Sequence, residues 1–212
     1  YLVIHTGSRN PGLRVAEYYQ KIAYQECGGR TQTEIPYELA YLTGNAMQEY
    51  LHDMEIMQKF ADLNRTIIKE EILDRLHLTE ESSFTTIHNY IDMEQMILRK
   101  GAVSAKEGER LLIPMNMRDG SLICTGLGNS DWNCSAPHGA GRRLSRKETM
   151  NNYTLHDFKE SMKGIYTSSV SKNTIDECPM AYKPMDEILE NVRDTVRIDQ
   201  VIKPAYNFKA SD

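Results

Sequence analysis

His138 stands in the run His138-Gly139-Ala140-Gly141-Arg142, with small residues beside it and a guanidinium four positions on. A neutral imidazole can attack phosphorus at neutral pH, since its ordinary pKa is about 6.5. Glycine lets the backbone approach a ligand closely, and an arginine fork matches phosphate oxygens in pairs. A histidine so placed is suited to carry a phosphoryl or nucleotidyl group covalently. The same run also reads as an ordinary glycine-rich turn whose histidine is merely hydrogen-bonded.

The chain has six histidines. His52, His77 and His156 lie in polar helical surroundings and read as surface residues. His5, His88 and His138 each follow or sit within a strand-like segment beside polar or glycine-rich residues, where ligands commonly sit. Each alone reads equally as a structural histidine, and two imidazoles hold a metal only with further protein ligands. No other clear ligand set lies nearby in the sequence. Arg99-Lys100-Gly101-Ala102 presents two cations before a small-residue turn, and Pro114 to Ser121 reads as a polar loop between strands. Both are phosphate-contact candidates or solvated turns. Neither is a P-loop, and no GxGxxG follows a strand. Lys100 and Lys106 invite comparison with the lysine nucleophiles of ATP-dependent ligases, but carboxylate-rich contexts are missing around both in the sequence.

The elements that must position these residues change character along the chain. Tyr1-Leu2-Val3-Ile4 reads as a buried strand entering His5-Thr6-Gly7-Ser8-Arg9. Val15, Tyr18, Tyr19 and Ile22 share a helical face up to about Glu26, with Gly28-Gly29 as its end. Pro36 opens a second helical region, interrupted near Gly44. From Asn45 to about His77 a Met-rich apolar stripe (Met47, Tyr50, Leu51, Met54, Met57, Phe60, Ala61) predicts a long helix packed into a core. From Ser83 the texture is strand and turn: Phe84 to Ile91, Met96 to Ser104, Leu111 to Met115 and Ser121 to Leu127 predict a mainly antiparallel sheet. Short helices are expected at 143–151, at 154–163 behind a Thr154…Asp157 cap, and at 184–194. Val196 to Phe208 reads as extended. The pattern is α+β, with mixed or antiparallel sheets flanked by helices.

Composition narrows the class. The 212 residues, 40% hydrophobic and 26% charged, suit one sizeable core or at most two small ones. A net charge of −5 argues against holding nucleic acid by bulk charge, while leaving local basic patches such as Arg142, Arg143, Arg146 and Lys147. Cys27, Cys124, Cys134 and Cys178 lack paired spacing and read as reduced thiols, which makes the cytoplasm the expected location. No apolar run is long enough to span a bilayer, no signal-peptide pattern opens the chain, and no membrane partner is expected. The start in an apolar run without Met reads as a beginning inside a domain.

Read together, the motif segments resemble the RtcB family of RNA-splicing ligases. The resemblance rests on Ile4 to Gly12, His88 to Ile91, Arg99 to Glu109, Ile113 to Ser121, Gly126 to Asn129, His138 to Arg146 and Asp176 to Lys183, with Val201 to Lys209 matching the family terminus. Order and spacing hold over nearly the whole chain. The resemblance implies that residues 1–212 are the C-terminal portion of a single RtcB-like catalytic domain, with further metal ligands upstream.

The activity implied is joining of RNA ending in a 2′,3′-cyclic phosphate or 3′-phosphate to RNA with a 5′-hydroxyl, using GTP and Mn²⁺, in tRNA splicing or RNA repair. By resemblance His138 is the nucleophile that takes GMP, and His5 and His88 match manganese ligands. Asn89, Pro114, Met115, Asn116, Met117, Ser121, Gly139, Ala140, Gly141 and Lys209 match guanylate-contact positions, as His88 and His138 also do. Tyr182 falls where a residue against the guanine is expected. With only two of the metal ligands, the chain alone is expected not to ligate RNA. Met115-Asn116-Met117-Arg118 departs from the small Gly-Ser-Met-Gly pattern of the family, which bears on nucleotide fit. Two other readings stand beside the ligase: a non-catalytic relative or scaffold that binds RNA ends, and a nucleotidyl-transferring enzyme acting on a different RNA end.

Overall fold

The computed structural model describes residues 1–28 and 35–209. The chain divides into two compact units, the first Tyr1–Ser83 and the second from Phe84 onward.

The first unit is helical. Helix α1 spans Arg9–Glu26 and α2 spans Gly44–Leu76, with a 3-10 turn at Tyr37–Leu39 between them. Pro11 is tolerated in the first turn of α1, where backbone N–H groups lack helical partners anyway. Gly28 follows the helix at a φ of 98°; Gly29 lies outside the described residues. Gly44, expected to interrupt the second helical region, is the first residue of α2 instead. Tyr19 and Ala23 of α1 and Leu51 and Ala61 of α2 are buried. The Tyr19 hydroxyl donates to Asp53 Oδ2 at 2.7 Å, and its ring centroid lies 5.3 Å from that of Tyr50. The apolar stripe is thus only partly core: Met54 and Met57 are half-buried, whereas Phe60 is 40% exposed.

Residues 1–7 correct the expected N-terminal strand, for they form no strand and Tyr1, Leu2 and Val3 are exposed. A strand exists only through its ladder of hydrogen bonds, which apolar composition by itself does not supply. The segment is tied to α2 instead: Asn64 Nδ2 lies 3.4 Å from Thr6 Oγ1, and Arg65 Nη1 donates to the Thr6 carbonyl at 3.3 Å.

The second unit follows the expected alternation, except that residues 84–87 of the strand expected from Phe84 form no ladder and the strand begins at His88. Strands β1 (His88–Asp92), β2 (Ile97–Ser104) and β5 (Ser135–Pro137) form one sheet in the order β1-β2-β5. Strands β3 (Arg110–Asn116), β4 (Gly120–Gly126) and β7 (Val196–Ile202) form another in the order β3-β4-β7. All these pairings are antiparallel. A two-residue parallel pair joins β6 (Tyr166–Thr167) to β8 (Tyr206–Asn207).

Leu111, Ile113 and Met115 point inward from β3, as period-two alternation requires. They share a core with Val103, Leu122, Cys124, Ala136 and Val196, and with Ile188 of helix α5 (Met185–Asn191) and Val192 just after it. A second cluster gathers Phe158, Met162, Cys178 and Ala181. Helices α3 (Arg146–Asn152) and α4 (Leu155–Ser161) both start with capping boxes, Ser145 with Glu148 and Thr154 with Asp157. Each such cap is worth about 1 kcal/mol. Among the described residues no helix is long and apolar enough to cross a membrane.

Candidate active site

The site grows out of an irregularity in the β1–β2 pair. His88 pairs with Val103 and Tyr90 with Arg99, so one residue on β1 faces three on β2. The two surplus residues make β2 bulge around Gly101, whose φ of 69° favours glycine over any L side chain. Across the bulge Asn89 takes a φ of 58°, and its Oδ1 accepts the Gly101 amide at 2.8 Å.

The bulge presents the Gly101 carbonyl to the residue that follows β5. His138 donates its backbone N–H to that oxygen at 3.3 Å, and its ring Nδ1 lies 2.8 Å from the same atom. A carbonyl oxygen only accepts, so Nδ1 is the donor in this contact, and in the neutral ring the lone pair then lies on Nε2. The His88 ring centroid is 5.0 Å from that of His138.

The β3–β4 hairpin supports the other side of the His138 loop. Ala140 donates to the Pro114 carbonyl at 3.0 Å, and a Cβ on Gly139 would stand 3.0 Å from the same oxygen. A side chain there would press on the backbone it is meant to rest against. Met115 is 4% exposed, so its side chain belongs to the core. Ser121 is buried opposite Pro114 on β4. The hairpin tip is closed upon itself: Asn116 Oδ1 accepts the Arg118 and Asp119 amides at 3.0 and 2.9 Å, and Arg118 pairs with Asp119 at 2.7 Å. That pair holds the Asp119 carboxyl below the usual carboxylate range, its contact with Arg118 outweighing burial. Arg118, the departure in this loop, is therefore engaged within the tip. Met117 turns its carbonyl to Asn207 Nδ2 at 2.6 Å, which ties the tip to the strand leading to Lys209.

Tyr182 and Lys209 meet at a third place, the buried carboxylate of Glu177. Gly141, at a φ of 71°, accepts the Lys183 amide through its carbonyl at 3.1 Å, so the His138 loop runs beside this cluster. The second unit thus brings His88, Asn89, Pro114, His138, Gly139 and Ala140 around the bulge and holds Tyr182 and Lys209 together at Glu177. His5 is exposed in the first unit, outside any regular element.

Several cations have roles other than those their sequence context suggested. Arg99-Lys100-Gly101-Ala102 is strand, and only Lys100 of the two cations is exposed. Arg99, 1% exposed, donates to Asp92 Oδ2 at 3.1 Å, Ser135 Oγ at 3.0 Å and Tyr90 Oη at 3.3 Å. Burial works to raise the Asp92 carboxyl, but amide bonds from Gln95 and Glu94 and the Arg99 and Lys106 charges hold it low. Lys106 has a carboxylate setting after all, 3.5 Å from Asp92 and 3.8 Å from Glu94, supplied by residues distant in sequence. Arg142 donates to the carbonyls of Leu144 and Asp176 and to the Tyr182 hydroxyl, so its fork is engaged within the protein. Arg146 pairs with Asp176 and Glu177, which neutralises part of the expected basic patch. Glu177, Ser169 and Asn207 were not singled out from sequence. The nearest available signal for Glu177 was the acidic pair Asp176-Glu177 in a chain whose Arg142 and Arg146 need counter-charges.

The candidate site is thus a histidine whose Nδ1 meets a main-chain carbonyl, set between a strand bulge and a glycine-rich turn. The family model of the tRNA-splicing ligase RtcB matches residues 1–210, and the chain belongs to that family. It is 30% identical over 217 residues to the RNA-splicing ligase RtcB of Escherichia coli strain K12, covering 93% of this chain and 53% of that protein. It is 32% identical over 230 residues to the tRNA-splicing ligase RtcB of Aeropyrum pernix, covering 89% of this chain and 47% of that protein. The chain spans about half the length of the curated relatives it matches.

Proposed function

We propose that this chain carries the guanylate-accepting histidine of a GTP- and Mn²⁺-dependent RNA ligase. The enzyme joins RNA with a 3′-phosphate, or with a 2′,3′-cyclic phosphate once opened to one, to RNA with a 5′-hydroxyl. The reading rests on family membership and on one observation: His138 Nδ1 donates to the Gly101 carbonyl at 2.8 Å, which leaves Nε2 as the nucleophilic atom.

Nε2 attacks the α-phosphorus of GTP, the P–N bond forms, and pyrophosphate leaves. The imidazole gains positive charge as it does so, and the Gly101 carbonyl stabilises the N–H that bears it. The guanylate then passes to an oxygen of the RNA 3′-phosphate, returning His138 to its neutral form. Attack of the 5′-hydroxyl on that 3′-phosphorus forms the phosphodiester, with loss of the hydroxyl proton and departure of GMP.

Asn89 holds the bulge that aims the carbonyl, while Pro114, Met115, Asn116, Met117, Ser121, Gly139, Ala140, Gly141, Tyr182 and Lys209 are the remaining proposed guanylate contacts. Met115 contributes through its backbone, since its side chain is buried. When bound, Mn²⁺ neutralises triphosphate charge. His88 and His5 are the imidazoles this chain offers it. Among the described residues no group of three His, Cys, Asp or Glu side chains converges, short of the three or four ligands a site takes. The 212 residues alone are proposed not to ligate. The four unpaired cysteines suit the reducing cytoplasm as the place of action.

The test is incubation of the full-length protein with labelled GTP and Mn²⁺. An acid-labile protein adduct is expected in the wild type and none in His138→Ala. An adduct that persists in His138→Ala overturns the assigned nucleophile. A wild-type protein that forms none overturns the ligase reading in favour of an RNA-end-binding relative.

A further inference from the structure

Glu177 ends a 3-10 turn, Lys172–Glu177, and is only 6% exposed. Its two carboxylate oxygens serve different partners. Oε2 accepts from the Tyr182 hydroxyl and lies 2.7 Å from Lys209 Nζ. Oε1 lies 2.9 Å from Arg146 Nη1 and 3.6 Å from Arg142 Nη1. One side chain thus gathers donors from the turn after His138, from the first turn of α3, from Tyr182 and from the terminal segment.

Each of those donors is held a second time. Arg142 and Tyr182 form a β-bridge, and the Arg142 guanidinium carbon lies 5.1 Å from the Tyr182 ring centroid. The main chain of Lys209 is clamped by buried Ser169, whose Oγ accepts the Lys209 amide at 2.7 Å and donates to the Lys209 carbonyl at 3.1 Å. Burial raises the Glu177 carboxyl, yet contacts from Lys209 and Tyr182 and the Arg146 charge outweigh it and keep the group ionised. The Tyr182 phenol is pushed well above its ordinary value by burial and by that carboxylate, so it stays a donor.

We infer that Glu177 is the positioning residue of the nucleotide site, setting the Tyr182 ring and the Lys209 ammonium in register with the arginines that follow His138. The inference rests on the reading above, in which Tyr182 and Lys209 meet the guanylate. Glu177 acts through these residues, since its oxygens are buried and engaged. A lysine has four rotatable bonds, and fixing it in advance lowers the entropic cost of binding. A carboxamide in place of the carboxylate loses the charge and turns an N–H₂ toward one of the two donor pairs, leaving that pair without an acceptor.

The experiment uses full-length protein with Mn²⁺ present. Equilibrium binding of GTP and of ATP is measured in a His138→Ala background, and the rate of adduct formation is measured with His138 intact. Glu177→Gln is expected to weaken GTP binding at least tenfold and to reduce the preference for GTP over ATP. The limiting adduct rate is expected to change less than threefold. Glu177→Gln combined with Lys209→Met should bind GTP no more weakly than the worse single variant.

Two results overturn the inference while the ligase reading stands: GTP binding by Glu177→Gln within twofold of the reference, or equal losses for both nucleotides with a matching loss of rate, which marks a merely structural role. A wild-type protein that neither binds GTP nor forms the adduct overturns both. Should Glu177→Gln fail to fold, Ser169→Ala releases Lys209 without removing a charge. It is expected to weaken GTP binding at least threefold with the same loss of preference, and unchanged binding overturns the inference.

Discussion

The Oδ1 of Asn89 accepts the amide of Gly101 at 2.8 Å, on the same residue whose carbonyl meets His138 Nδ1 at 2.8 Å. A side chain on one strand and a ring that follows another thus meet the same glycine from its two sides.

Asn89→Ala is expected to keep the fold and lose the aim. Removing an exposed acceptor to a backbone amide costs about 1 kcal/mol of stability, because water replaces it. Adduct formation on His138 should slow at least tenfold, since the Gly101 carbonyl is no longer held. A thermal melt beside a single-turnover adduct assay checks this, and a rate equal to wild type would show that the bulge holds itself.

Gly101→Ala tests the same element from its backbone. The added Cβ meets nothing closer than His138 Nδ1 at 3.7 Å, so space is not the obstacle. The positive φ is, and it should cost about 1 kcal/mol or more. Urea denaturation is the measurement.

Arg99 lies against Asp92 at 3.1 Å with almost no exposure of either side chain. Arg99→Met leaves a buried carboxylate with Lys106 and the Glu94 and Gln95 amides but without its buried cation, and a loss of about 3–5 kcal/mol is expected. Adding Asp92→Leu should recover most of it, because an apolar pair of similar volume carries no uncompensated charge. Denaturation midpoints of the single and double variants decide the matter.

Acid should act through Glu177. Its folded carboxyl is held below the unfolded value of about 4.3. As pH falls past that value the unfolded chain takes up the proton first. The stability Glu177 contributes is full above the unfolded value and is lost as pH drops through the lower folded value. Glu177→Gln should flatten this part of a stability curve recorded between neutral pH and pH 3.

The thiols should divide by burial. Cys124 is fully buried with its thiol pushed up to about 12, first by burial and then by Asp199. Burial likewise raises Cys178. Under native conditions Cys27 and Cys134, both partly exposed, should alkylate first, followed by mass spectrometry.

Much of the second unit was legible because short-range rules govern it. Alternation at Leu111, Ile113 and Met115 marks a half-buried strand, and Ser145 and Thr154 announce helix starts. Tyr1 to Ile4 misled because apolar residues permit a strand without providing its neighbour. Arg99 and Lys100 looked like one cationic pair, although adjacent residues on a strand face opposite sides, so that error was avoidable. Arg142 was not: its partners at Asp176, Glu177 and Tyr182 lie at least 34 positions away, and no local pattern states such a pairing. The candidate site was legible at His138 and its turn, and hidden at Glu177, whose importance lies wholly in what the fold brings to it.

The distortion in β2 comes as a pair of surplus residues, and parity gives that number meaning. An odd insertion would turn the rest of the strand inside out, sending Val103 to solvent. An even one returns it to phase, with Arg99 and Val103 both facing inward on either side. The bend thus reaches the histidine without turning the buried side of the strand outward.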